Sequence, residues 1–181
     1  LFCTWQRDYN RQGINQGVII MEFTEITPQN RSQVNIFLKK HWYTTDMVIC
    51  GEKIDMTKLK GIICTHENKI IALLTYRIKP DHICEIISLD SLIENQGTAT
   101  ELIRKVLDIA QTSLCSCVRV ITTNDNLKAI RFYQKRGFDM IRLYYNSVEK
   151  SRKLKPAIPL TGDDGIALRH ELEFEYRLKV N

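Results

Sequence analysis

No apolar run in this chain of 181 residues approaches the ~20 needed to cross a bilayer, so no membrane partner is expected. The first residues lack the charged-then-apolar pattern of a secretion signal. Basic residues interleaved with aromatics, the footprint of a dedicated nucleic-acid binder, are also missing, so a nucleic-acid partner is not indicated. The six cysteines stand at 3, 50, 64, 84, 115 and 117, and none forms a C-x-x-C pair. Cys115-Ser116-Cys117 has no companion ligands for zinc. These thiols read as buried groups in a reducing compartment. The expectation is a cytoplasmic protein without disulfides and without a metal. No internal repeat or low-complexity tract interrupts the chain.

The composition is that of a globular domain, with 44% hydrophobic and 26% charged residues. The length suits one domain with one sizeable core. A formal net charge of +5 suits a polyanionic small ligand or a weak nucleic-acid contact about equally. Residues 1–20 are polar and unpatterned, and Met21 follows directly. They read as an N-terminal extension outside the fold, with residues 21–181 as the single domain and Met21 as a natural start.

Hydrophobic periodicity divides the rest into alternating strands and helices. Residues 21–26 form a short strand. Thr27-Pro28 then offers an N-cap and a proline at the first helical position, and Val34, Phe37 and Leu38 fall at helical spacing, which predicts a helix over 28–41. Residues 42–59 are less regular and read as a loop with a short helix. Residues 61–65, 69–78 and 83–89 read as an antiparallel meander, with turns at Glu67-Asn68 and at residues 79–82. Leu102, Val106 and Ala110 mark a helix over 97–113. A β-branched strand follows at 118–122. Asn124-Asp125-Asn126 offers caps for a helix over 127–136 that Gly137 ends, and residues 138–145 are another strand. Residues 147–164 read as a short helix and then a long loop. In the tail, Leu172, Phe174, Tyr176 and Leu178 alternate with charged residues, a strand with one buried face. This order predicts an α/β (α+β) fold: a mixed, mostly antiparallel, twisted sheet of about seven strands with helices on both faces.

Two segments carry chemistry. In the first, a strand and short loop lead to Gly97-Thr98-Ala99 at the head of a long helix. Exposed N–H groups and the positive dipole end there suit a phosphate. The same small residues equally suit close packing of helix on sheet. In the second, Asn126, Ala129, Phe132, Tyr133, Gly137 and Phe138 spell N-x-x-A-x-x-F-Y-x-x-x-G-F.

That second segment resembles the acetyl-CoA motif of GNAT N-acetyltransferases. Glu94-Asn95-Gln96-Gly97-Thr98-Ala99 resembles the family's [R/Q]-x-x-G-x-[G/A] phosphate loop, at the expected distance upstream. The strand order fits as well, and the resemblance covers residues 21–178. It implies a GNAT-like sheet and acetyl-CoA as co-substrate. It also implies transfer of the acetyl group to a primary amine, on a small molecule or a peptide, by direct attack in a ternary complex. A monomer or homodimer would suffice. One departure stands out: Glu94 occupies the place of the family's Arg or Gln. A carboxylate repels a pyrophosphate, so Glu94 is expected to point away while backbone N–H groups do the binding.

By position, the resemblance assigns Leu89, Asp90 and Ser91 to backbone pairing with the pantetheine arm. It assigns Asn95, Gln96, Gly97, Thr98, Ala99 and Thr100 to the pyrophosphate, and Asn126, with Ala129 and Phe132, to the pantetheine region. Lys128, Arg131 and Lys135 are placed to help with the outer phosphate or to form a solvated helix face. Tyr133 is the expected acid, because a phenol of pKa ~10 stays protonated at neutral pH and can protonate a departing thiolate. Glu85, which interrupts an apolar strand, is the expected base, or else it pairs with a neighbouring Lys or Arg. His41-Trp42, at the end of the first helix, is a candidate for shaping the acceptor pocket. Two alternatives remain open. One is a non-catalytic GNAT-fold module that binds CoA or a partner, supported by Glu94. The other is a basic nucleic-acid binder resting on Lys150, Arg152, Lys153 and Lys155.

Overall fold

A computed structural model describes residues 20–93 and 96–179. The proposed extension at 1–20 therefore lies outside the described residues, except for Ile20. The chain runs β1 (Glu22–Glu25), α1 (Arg31–Trp42), β2 (Asp46–Ile49), β3 (Glu52–Asp55), β4 (Lys60–His66), β5 (Lys69–Ile78), β6 (Ile83–Ser91), α2 (Thr98–Thr112), β7 (Cys117–Thr123), α3 (Leu127–Gln134), β8 (Asp139–Tyr144), α4 (Ser147–Leu154) and β9 (Glu171–Arg177). Seven strands make one sheet in the order β1-β4-β5-β6-β7-β9-β8. Its neighbours are antiparallel except β6 and β7, which are parallel.

Helix α1 begins later than the Thr27-Pro28 signal implies. Asn30 is its cap residue and ties the entering turn, its side chain accepting from the Thr27 N–H at 2.8 Å and donating to the Glu25 carbonyl at 2.9 Å. Val34, Phe37, Leu38 and His41 are its buried face. With Met56, Ile63 and Leu73 they form a core on one side of the sheet. On the other side Leu102, Ile103, Val106 and Ala110 of α2 pack with Ile86, Val118, Phe138 and Phe174. Apolar burial on both faces is what the expected layering requires.

Two expectations are corrected. Residues 42–59 are not a loop with a short helix alone. They contain a two-stranded antiparallel ribbon, β2 on β3, followed by a single 3-10 turn at Met56–Lys58. The ribbon turns at Cys50 (φ 48°) and Gly51 (φ 79°), a left-handed pair that matches strand twist. The Asn-Gly signal for such a turn is missing here, which is why the pattern hid it. The second correction concerns β9. Leu172, Phe174 and Tyr176 pack against the α2 core as expected, but Glu171, Glu173 and Glu175 on the opposite face are buried too. The ribbon folds over that face: the Cys50 N–H donates to both carboxylate oxygens of Glu171 at 3.0 and 3.1 Å.

The long segment before β9 is pinned rather than loose. Arg152 donates to the carbonyls of Leu168 at 2.5 Å and Pro159 at 2.7 Å. Val148, Ile158 and Leu168 make a small core beneath it. Gly162 must be glycine, because a Cβ there would sit 1.8 Å from Asp125 Oδ2. Among the described residues no helix is long and apolar enough to cross a membrane.

Leu102, fully buried at the centre of α2, provides a test of this packing. Leu102→Ala is expected to cost about 2–5 kcal/mol, whereas Ile36→Ala on the exposed side of α1 should stay within ~0.5 kcal/mol. Urea unfolding of both variants checks this, and equal losses would contradict the layering.

Candidate functional site

The site begins as a failure of pairing. Strands β6 and β7 are in register from Ile83↔Cys117 to Ile86↔Val120 and no further. Each continues: β6 to Ser91, held by β5, and β7 to Thr123, held by β9. An extra residue starts the divergence. Tyr76 faces Ile86 while Thr75 faces Ser88, so Ile87 is a bulge, which sharpens the local twist. The Thr75 and Ser88 hydroxyls meet at 2.7 Å just beyond it. The result is a V between two strands of one sheet. Ile86, Ile87, Ser88 and Leu89 form one wall, and Val120, Ile121, Thr122 and Thr123 the other. Strand backbone without a partner is a row of donors and acceptors for an extended ligand.

At the mouth stands the head of α2. Gly97, its cap residue, has φ 74°. A Cβ added there would meet nothing within 4 Å, so glycine is required by conformation and not by close packing. The N–H groups of Thr98, Ala99 and Thr100 open the helix, where no preceding turn supplies intrahelical acceptors. Gln96, Gly97 and Thr100 are exposed, Ala99 is half-buried, and Thr98 is buried. Glu94 and Asn95 lie outside the described residues. Arg136, which the motif reading passed over, reaches this mouth. Its guanidinium donates to the Thr100 hydroxyl and stacks on the Phe132 ring at 3.4 Å. Lys128, Arg131 and Lys135 lie on the exposed face of α3. Only the fold could show this difference, since Arg136 lies past the end of α3, where the chain turns back toward α2.

Helix α3 supplies the deep wall. The Asn126 side-chain oxygen caps the helix by accepting from the Ala129 N–H at 2.9 Å. Its Nδ2 is buried with no hydrogen-bond partner among the described residues, as is the Thr122 hydroxyl. Such orphaned groups are costly unless a ligand satisfies them. Tyr133 is 1% exposed, with its ring against Phe132, Phe138 and Phe174. It lines the V, and its hydroxyl makes no hydrogen bond to the described residues. Burial holds the phenol well above its usual pKa, and the Asp90 carboxylate pushes it further.

Asp90 itself is 5% exposed. The Trp42 indole, which lines the V, donates to its Oδ2 at 2.7 Å. Burial raises its carboxyl to about 7 against the opposing effect of that hydrogen bond. Glu85 follows the second of its two expected readings, pairing with neighbouring cations. It is buried but ion-paired with Arg77 at 2.5 Å and Lys79 at 3.2 Å, away from the walls of the V. Trp42 thus joins the site while its neighbour His41 packs on Phe37. The five described cysteines are free thiols. No group of three or more His, Cys, Asp or Glu side chains suited to a metal occurs among the described residues.

Residues 23–138 match the model of the acetyltransferase (GNAT) family. The protein YxbD of Bacillus subtilis is 44% identical over 140 residues, covering 77% of this chain and 87% of that protein. YdhI of the same organism is 42% identical over 153 residues, covering 82% and 95%. Among solved structures, an IAA acetyltransferase from Bacillus cereus shares the fold with a TM-score of 0.65 at 14% identity, over 88% of this chain and all of that one (100%). A GNAT family acetyltransferase from Elizabethkingia anophelis, solved with acetyl-CoA bound, gives 0.62 at 16% identity over 87% and 98%.

The two roles of Asn126 can be separated. Asn126→Asp keeps the capping oxygen and replaces the orphaned donor. Its stability is expected to fall by about 1–3 kcal/mol, because the new oxygen is buried without a donor, while the Kd for acetyl-CoA rises about tenfold. Calorimetric titration alongside denaturant unfolding checks this. Unchanged affinity would remove Asn126 from the ligand site.

Proposed function

The chain belongs to the GNAT acetyltransferase family, and on that premise we propose that it transfers the acetyl group of acetyl-CoA to a primary amine by direct attack. One observation carries this reading: the V between β6 and β7 ends at a buried tyrosine whose hydroxyl makes no hydrogen bond to the described residues. The pantetheine arm lies along the free edge of β6 at Leu89, Asp90 and Ser91, with Asn126 Nδ2 and the Thr122 hydroxyl as side-chain partners. Ala129 and Phe132 pack along the same arm. The pyrophosphate meets the head of α2, where Gln96, Gly97, Thr98, Ala99 and Thr100 present backbone N–H groups, with Arg136 beside them. Asn95 completes that loop by its place in the motif.

Within this reading the bulge at Ile87 aims backbone N–H groups at the thioester oxygen, where negative charge develops. The incoming amine arrives as an ammonium and first loses a proton. Asp90 takes it, in place of Glu85, whose ion pairs hold it fully engaged. Asp90 suits a base because its Oδ2 is fixed by Trp42, its Oδ1 has no partner among the described residues, and its pKa near 7 matches neutral pH. The amine nitrogen bonds to the carbonyl carbon, and the carbon–sulfur bond breaks. Tyr133 gives its proton to the departing sulfur and regains one from the nitrogen as the amide forms. CoA thiol and the acetylamide leave, and the first proton passes from Asp90 to solvent.

Tyr133→Phe is expected to lower kcat by ~10²–10³-fold with acetyl-CoA affinity unchanged, read by thiol release over an amine panel and by titration. Full activity in that variant would remove the acid. Asp90 gives a signature in pH. In wild type the rate should climb as pH rises through about 7, and Asp90→Asn should abolish that limb. The linkage runs the other way for stability. A carboxyl raised in the fold above its ordinary 3.8 stabilises the fold fully below that value, and the contribution is lost as pH rises through about 7. Asp90→Asn should therefore melt higher than wild type at pH 8 and converge with it near pH 4. A variant that keeps the rate limb would take the base role away from Asp90.

A further inference from the structure

Four glutamates lie on the face of the sheet that the ribbon covers. Glu85 pairs with Arg77 and Lys79. Glu175 pairs with Arg119 and Arg177. Glu173 accepts from the Tyr144 hydroxyl at 2.8 Å and has Arg119 at 3.7 Å. Glu171 is the exception. It is 4% exposed, no cation among the described residues reaches it, and the Cys50 N–H is its partner. A buried carboxylate with one neutral donor is poorly compensated. It also lines the V that Tyr133 closes.

A second, independent observation sits beside it. Thr123 faces Glu171 in the β7–β9 register, lines the same V and is 7% exposed. Its hydroxyl has no partner among the described residues. A buried acceptor without a cation and a buried hydroxyl without a partner, side by side, are the complement of an ammonium or guanidinium group. The reacting nitrogen cannot be that group. It must sit at the bulge on β6, whereas Glu171 lies two strands away on β9. At the usual strand spacing that separation is ~10 Å. Between the two ends the V is walled by Trp42, Met47, Val48, Ile49, Ile87 and Ile121, an apolar slot suited to methylene groups.

We propose that the acceptor is an aliphatic amine carrying a second cationic group at the far end of a short alkyl spacer, and that Glu171 and Thr123 hold that second group. The proposal rests on the acetyl-transfer reading for the identity of the reacting end, but not for the binding of the cationic end. Glu171 is a specificity residue and takes no proton in the reaction. Met47, Val48 and Ile49 of the ribbon set the spacer length, and the Cys50 N–H fixes the carboxylate.

The test is a titration of the full chain with 1,5-diaminopentane and with n-pentylamine, both with and without saturating CoA. The diamine is expected to bind roughly tenfold or more tightly than the monoamine. Glu171→Gln keeps an acceptor oxygen for the Cys50 N–H, so the ribbon stays anchored. It should weaken the diamine roughly 10- to 100-fold and leave the monoamine unchanged. Thr123→Val should give a smaller loss of the same selectivity. Thiol release should show the same split in KM, with kcat for the diamine little altered. Equal binding of diamine and monoamine by wild type, or equal losses for both in Glu171→Gln, would overturn the proposal. Failure of CoA to bind would instead count against the transfer reading, and the CoA-free titration would still decide the role of Glu171.

Discussion

The parallel pairing of β6 and β7 stops at Ile86 and Val120, and the rest of the site depends on that stop. Both strands continue, each held by its outer neighbour, so the sheet stays intact while its centre opens. One inserted residue, Ile87, starts the opening. A ligand that enters becomes an interior strand partner, and most of its length is shielded from water. Backbone hydrogen bonds formed in such a place are not weakened by competition with solvent. The polar groups left without a partner among the described residues, Asn126 Nδ2 and the hydroxyls of Thr122 and Thr123, are the cost of an open centre.

The two faces of the sheet divide the work. The α2 and α3 face supplies the helix head, Arg136, Asn126 and Tyr133, which suit a phosphorylated acyl carrier. The α1 and ribbon face supplies Trp42, Asp90, Glu171 and an apolar wall. The V lies between them, with Tyr133 from one side and Trp42 and Glu171 from the other among its lining. Asp90 and Tyr133 are close enough for the carboxylate to raise the phenol, although Asp90 is held on the α1 side by the Trp42 indole. A carboxyl raised toward neutral pH and a phenol held protonated thus follow from the same burial acting on two different groups.

Most of this architecture was legible in the chain. The Ile- and Leu-rich runs of β4 and β5, the β-branched run of β7, the alternation of β9 and the 3.6-residue period in α2 gave those elements to within a few residues. The Asn126–Phe138 pattern placed Asn126 at the cap and Tyr133 within α3, because both positions depend on local helix geometry. What stayed hidden depends on contacts between distant segments. The β2–β3 ribbon turns on Cys50-Gly51, a pair without the usual Asn or Asp before the glycine. The insertion of β9 between β7 and β8 leaves no local trace, so the burial of Glu171, Glu173 and Glu175 could not be anticipated. The choice between Glu85 and Asp90 turns on whether cations on β5 and just beyond it can reach across. Arg77 and Lys79 reach Glu85, and Asp90 meets an indole instead.

The central claim is that the free edge of β6 receives the acyl carrier as an additional strand. Amide hydrogen exchange with and without acetyl-CoA addresses it residue by residue. Added acetyl-CoA should slow exchange within residues 87–91 and at the head of α2, with Ile83 to Ile86 unaffected because they are already paired with β7. Protection confined to other segments, or no protection with acetyl-CoA in saturating amounts, would contradict the claim.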